Sequence, residues 1–185
     1  MPDSELSDAI AFIATYPPKQ CGIGTFTNDL VDAVRRNTEG RLRTVVVAID
    51  DPADGGLEYP DEVNQTVNKH DNADYVRTAE SLNYSNVRAV SVQHEFGIFG
   101  GRDGAYLLDL LRELRCPVIT TLHTILQEPS ESQREVMDEL IVLSNMLVVM
   151  SERGVDFLRD VYGAPAEKIR LIHHGVPEIP LVEPA

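Results

Sequence analysis

Short unbroken apolar runs alternate along this chain with longer stretches in which apolar residues recur at helical spacing. The first kind predicts buried strands and the second amphipathic helices. Strands are expected at residues 9–14 (AIAFIA), 44–49 (TVVVAI), 89–93 (AVSVQ), 118–122 (VITTL), 146–150 (MLVVM) and 169–172 (IRLI). Residues 63–67 alternate weakly, as in an edge strand or an extended loop. Helices are expected from Thr25 onward, with Phe26, Leu30, Ala33 and Val34 on one face, and over residues 74–82, 106–114, 131–144 and 151–162. Thr25 and Ser151 carry hydroxyls suited to capping two of them. Apolar strands alternating with amphipathic helices imply parallel βαβ units, so the fold class is α/β: a doubly wound, mostly parallel sheet with helices on both faces.

A length of 185 residues fits one domain, and an apolar content of 43% supplies a core without disulfide staples. Cys21 and Cys116 make no disulfide framework. The net charge of −14 repels phosphodiester backbones, so nucleic acid is expected to be excluded as a partner. Strong membrane binding is not expected either, because anionic surfaces are held by Lys/Arg clusters. The densest basic group, Arg35 and Arg36 with Arg41 and Arg43 nearby, reads as a solvated helix end. An acidic N-terminus (MPDSELSD) followed by an apolar run too short to span a bilayer points to a cytoplasmic protein.

Open parallel sheets bind ligands at the carboxyl ends of their strands. Four of the five histidines fall there: His94, His123, His173 and His174 each follow a predicted strand. A second signal is the stretch CGIGT, in which Gly22 and Gly24 lie between a strand and a helix. Either it lets backbone N–H groups approach a phosphate at a helix N-terminus, or it is a plain tight turn. It is neither a Walker A sequence nor a full dinucleotide fingerprint. The third signal, QHEFGIFGGR at residues 93–102, joins the His94–Glu95 pair to two aromatics and three glycines. Those glycines supply either mobility for admitting a substrate or the turns of an ordinary βα loop whose aromatics fold onto the core.

Taken in order, the Gly-rich first loop, SVQHEFGIFGG, TTLHT and the closing IRLIHHGV resemble the N-terminal domain of glycosyltransferase family 4, from Ile10 to Pro177. That resemblance implies one half of a GT-B fold, a Rossmann-like acceptor-side domain of a retaining, nucleotide-sugar-dependent transferase. It implies domain bounds of 1–177, a Pro-rich interdomain linker at 178–185, and a C-terminal donor domain that is missing from this chain. It also implies that Gly22, Gly24 and Thr25 lie against the donor diphosphate, that His123 contacts the donor sugar as the catalytic residue, and that His94 and Glu95 line the acceptor side. Ser151 either touches the cleft or only caps its helix, and His173 and His174 fall at the hinge to the second domain.

The implied partners are a nucleotide-sugar donor as co-substrate, a sugar-bearing acceptor and the missing domain; no cofactor and no metal is called for. Without the donor domain the chain is expected to be inactive, and its uncovered face to give weak self-association. Two other readings stay open: a stand-alone sugar-binding or regulatory module of the same fold, and a metal-dependent hydrolase using His94, Glu95, His123 and His173.

Overall fold

The computed structural model describes residues 8–175. The linker expected at 178–185, and the end of the domain at 177, lie outside the described residues. The strands are β1 (Ala9–Ala14), β2 (Arg43–Asp50), β3 (Val63–Asn68), β4 (Val87–His94), β5 (Val118–Leu122), β6 (Met146–Val149) and β7 (Ile169–Leu171). Five α-helices connect them: α1 (Gly22–Asn37), α2 (Asn72–Tyr84), α3 (Tyr106–Glu113), α4 (Glu131–Leu143) and α5 (Glu152–Asp160). All strand pairs are parallel, in the order β3-β2-β1-β4-β5-β6-β7. Residues 63–68 are thus a true strand at one end of the sheet.

Alternation along the strands divides the core in two. Ala9, Ala11 and Ile13 of β1, with Val45, Val47 and Ile49 of β2, face the larger cluster, which takes in Leu82 of α2, Leu107 and Leu110 of α3 and Met137 and Leu140 of α4. Phe12, Val46 and Ala48 point the other way and meet Tyr16, in the loop after β1, and Val31 of α1. Helices therefore cover both faces of a Rossmann-like sheet, as the apolar runs predict.

Local chemistry sets where helices begin. Asp71 caps α2 by accepting from Ala73 N, Ser130 and Gln133 form a reciprocal capping box on α4, and Ser151 caps α5 by accepting from Gly154 N at 3.1 Å. Thr25 is not a cap. Gly22 and Gly24 take up helical conformation, so α1 starts at Gly22 with Cys21 in the N-cap position. Thr25 sits inside the first turn, its N–H donating to Cys21 O at 3.1 Å.

The direction in which strands are added across the sheet reverses at its middle. From β1 the chain builds outward through β2 to β3, then crosses back to β4 on the other side of β1 and builds outward to β7. The carboxyl ends of β1 and β4 therefore flank the crevice where a doubly wound sheet takes its ligand.

Candidate functional site

The loop leaving β1 is anchored rather than loose. Tyr16 is fully buried, and its hydroxyl lies 2.8 Å from Glu62 Oε1 and 2.9 Å from Asn28 Oδ1. Gly24 then passes over the Tyr16 backbone, where a Cβ would make only ordinary contacts at 3.5 Å. Gly22 faces open space. Packing within the chain thus requires neither glycine, and their effect is to leave the first turn of α1 bare.

His123 follows β5 directly. Its backbone N–H donates to His94 O at 3.0 Å, and its Nε2 lies 3.0 Å from Oε1 of Gln93 on β4. Phe26 of α1 meets the His123 ring edge-on, with centroids 4.9 Å apart. Burial, with a smaller push from nearby His174, lowers the imidazole to about 4, so it is neutral at physiological pH.

His94 is placed differently from its neighbour in sequence. It is the last residue of β4, fully buried, stacked on Phe99 at 6.0 Å and edge-on to Phe96 at 5.0 Å. Neither ring nitrogen has a hydrogen-bond partner among the described residues. Desolvation, helped by His123, drives its pKa down to about 3. The expectation that His94 lines the acceptor side is corrected on this ground: Phe96 and Phe99 fold over the ring and seal it in. Glu95 does reach the surface, where its carboxylate accepts from Gly97 N at 3.0 Å.

The loop that follows is built for close packing. A Cβ on Gly100 would sit 1.6 Å from Lys69 O, and one on Gly101 2.7 Å from the Tyr106 ring. Gly100 N also donates to the Tyr75 hydroxyl at 2.9 Å. These glycines serve close approach, not mobility.

A cleft of about 230 Å³ opens beside His123, between the ends of β5 and β6 and the start of α5. Ser151 lines it as well as capping α5, together with Leu122, Ile125, Met150, Arg153 and Phe157. Arg153 is its one cation; the guanidinium lies over the Phe157 ring at 5.0 Å and pairs with no carboxylate among the described residues. Sequence reasoning missed Arg153, although a cation in the first turn after a strand end was a usable signal. It also missed Gln93 and Phe26. His174, expected at the hinge, lies against Phe26 with ring centroids 5.1 Å apart, and His173 is exposed.

The structure therefore gathers His123, Gln93, Phe26 and His174 at one place, with Ser151 and Arg153 on the adjoining cleft wall. It leaves His94 beneath them in the core. No group of three His, Cys, Asp or Glu side chains is arranged to hold a metal ion among the described residues. The ligand set imagined for a hydrolase is not assembled, chiefly because both nitrogens of His94 are sealed off.

The sequence profile of glycosyltransferase family 4 matches residues 22–178 of this chain. The chain belongs to glycosyltransferase family 4. Comparison with curated proteins finds no match. Among solved structures, the family 4 chain is similar to an alpha-glucosyltransferase in complex with UDP and a 13-mer DNA containing a central A:G mismatch, at a TM-score of 0.56 and 13% identity over 84% of this chain and 39% of that one. It is also similar to an alpha-glucosyltransferase in complex with UDP-glucose and DNA containing an abasic site, at 0.57 and 12% over 87% of this chain and 41% of that one. At such identities the likeness is one of fold, and the family 4 chain fits the N-terminal domain of a GT-B enzyme. It spans about two fifths of the length of these structures.

Those neighbours correct the expectation that acidity excludes nucleic acid, because enzymes of this fold are found on DNA. Net charge is a sum over the whole surface, whereas a phosphate backbone responds to the local potential where it lies. A total of −14 on the family 4 chain therefore decides nothing about nucleic acid. Among the described residues no helix is long and apolar enough to cross a membrane.

Proposed function

We propose that this domain serves a retaining glycosyltransferase, which moves a sugar from a nucleotide-sugar donor to an acceptor hydroxyl. His123 carries the reading. It is a neutral imidazole, held by Gln93 and Phe26, at the carboxyl end of the sheet of a family 4 domain. In this reading His123 hydrogen-bonds the transferred sugar, and the bare turn at Gly22, Gly24 and Thr25 lets the donor diphosphate approach the N-terminus of α1. Glu95 and Ser151 contact the acceptor from opposite sides of His123. His94 supports the floor of the site without touching a substrate. No cofactor beyond the donor is used, and a cytoplasmic setting agrees with two free cysteines.

A leaving nucleotide carries negative charge that must be stabilised in the transition state, and such electrostatic effects dominate many catalysed reactions. Among the described residues, Arg153 is the one cation lining the cleft. The remaining charge is supplied by a second, donor-binding domain joined through a linker at 178–185, so the 185-residue chain alone does not turn over.

The test compares residues 1–185 with the protein carrying a donor domain, each incubated with a panel of nucleotide sugars and glycan acceptors. Product from the two-domain protein alone, with donor anomeric configuration retained by NMR, is the expected result. Turnover by the short chain sinks the division of labour, and an inverted product sinks retention.

A further inference from the structure

The hydrogen bond between His123 and Gln93 has more than a structural reading. Gln93 is fully buried, and its Nε2 donates to Ser91 Oγ at 3.1 Å. Ser91 and Gln93 are two residues apart on β4 and lie on the same side of the strand. In this arrangement the amide Oε1, an acceptor only, faces His123 Nε2 at 3.0 Å. An acceptor opposite Nε2 requires the proton to be on Nε2. Nδ1 then holds a lone pair, and it has no protein partner among the described residues.

The rest of the surroundings hold the ring in this orientation. The backbone N–H of His123 is tied to His94 O at 3.0 Å, and Phe26 meets the ring at 4.9 Å. We infer that Gln93 is a positioning residue: it fixes His123 as the Nε2–H tautomer and so presents Nδ1 as a hydrogen-bond acceptor for a sugar hydroxyl in the cleft.

The choice of an amide is chemically specific. A carboxylate in the same place would also accept from Nε2, but its charge would favour imidazolium and convert the free nitrogen from acceptor to donor. Glutamine sets the tautomer without adding charge. A neutral ring is also what burial imposes on His123. In the same way, partners behind a ligating histidine commonly set which nitrogen faces the ligand.

The sugar-hydroxyl part of this inference rests on the proposed transferase reading; the tautomer does not. The experiment labels histidine nitrogens in the 185-residue chain and records long-range proton–nitrogen correlations at neutral pH, with His123→Gln to assign the ring. The expected result is one tautomer, with Nε2 protonated and Nδ1 unprotonated. Gln93→Glu keeps Nε2–H and raises the His123 titration midpoint by at least one pH unit, a tenfold gain in proton affinity. Gln93→Leu leaves a mixture of both tautomers. A wild-type Nδ1–H form, averaged tautomers, or a Gln93→Leu spectrum like wild type overturns the inference. Should Gln93→Leu fail to fold, the wild-type and Gln93→Glu spectra decide alone. In the two-domain enzyme, Gln93→Leu lowers kcat more than it raises KM for the donor. If the tautomer is as stated and no nucleotide sugar reacts, the transferase reading fails while the positioning role stands.

Discussion

The ring of Phe26 stands nearly perpendicular to that of His123, at 86° with centroids 4.9 Å apart, and also meets His174 at 5.1 Å. One aromatic side chain thus ties the first turns of α1 to the end of β5 and to the segment after β7. Phe26→Ala removes half-buried apolar contact and opens His123 to water. The expected outcome is a loss of ~1–3 kcal/mol in stability, below the full-burial range because Phe26 is only partly covered. The His123 midpoint rises from about 4 toward the ordinary histidine value. Denaturant titration and histidine NMR on one sample measure both.

Acid sensitivity follows from His94. Its folded pKa is depressed to about 3, whereas an unfolded histidine titrates near 6.5. Above about 6.5 neither state binds the proton and stability is unaffected. Between about 6.5 and about 3 only the unfolded chain is protonated, so stability falls as pH falls, by up to ~1.4 kcal/mol per pH unit. His123 adds to this more weakly because solvent reaches it. His94→Leu removes two unpartnered buried nitrogens and should flatten the slope while holding or raising stability at neutral pH. An unchanged slope in melts from pH 7 to pH 4 would sink this account.

Gly100 tolerates no side chain. The Cβ of Gly100→Ala lands 1.6 Å from Lys69 O, and a backbone carbonyl cannot rotate aside as a side chain would. The expected penalty is at least ~3 kcal/mol, at the upper end of ordinary overpacking. Gly22→Ala, in open space, is the control and should leave the melting temperature nearly unchanged.

Removing the Ser151 hydroxyl leaves Gly154 N without its cap. Ser151→Ala should cost ~1 kcal/mol. Ser151→Asp preserves the cap and should restore most of that stability. Ser151→Ala, which adds no charge, should leave the His123 midpoint where it is, which histidine NMR can check.

His123→Ala in a two-domain protein should lower kcat by ~10²-fold, the scale of losing one oriented hydrogen-bonding group. Steady-state rates at saturating donor measure this. A rate equal to wild type removes His123 from the reaction.

Much of the sheet was legible because its strands are unbroken apolar runs, and burial on both faces is what parallel pairing demands. Other features depended on information no local window contains. Gly22 and Gly24 read as loop residues by propensity, yet the core contacts of α1 hold them in a helical turn. His94 read as a surface ligand because the apolar run ends at Gln93; its burial depends on Phe96 and Phe99 folding back over it. Gln93 fell within a singled-out stretch but was given no role of its own, because its partner is thirty residues on. His123 was singled out by its place after a strand, and Arg153 was passed over at a position of the same kind. Net charge misled on nucleic acid because it discards the location of each charge.

The position of β1 has a consequence for how the chain is made. β1 lies in the middle of the sheet, between β2 and β4, which come after it in the chain. β2 follows soon, but the partner for the other edge is residues 87–94. At ~5–20 residues per second, that edge of AIAFIA stays bare for several seconds of synthesis. Throughout that interval the nascent protein exposes an uncharged, β-forming segment to any other strand in reach. Pairing along that edge is therefore a late event in synthesis, completed only after residues 87–94 have emerged.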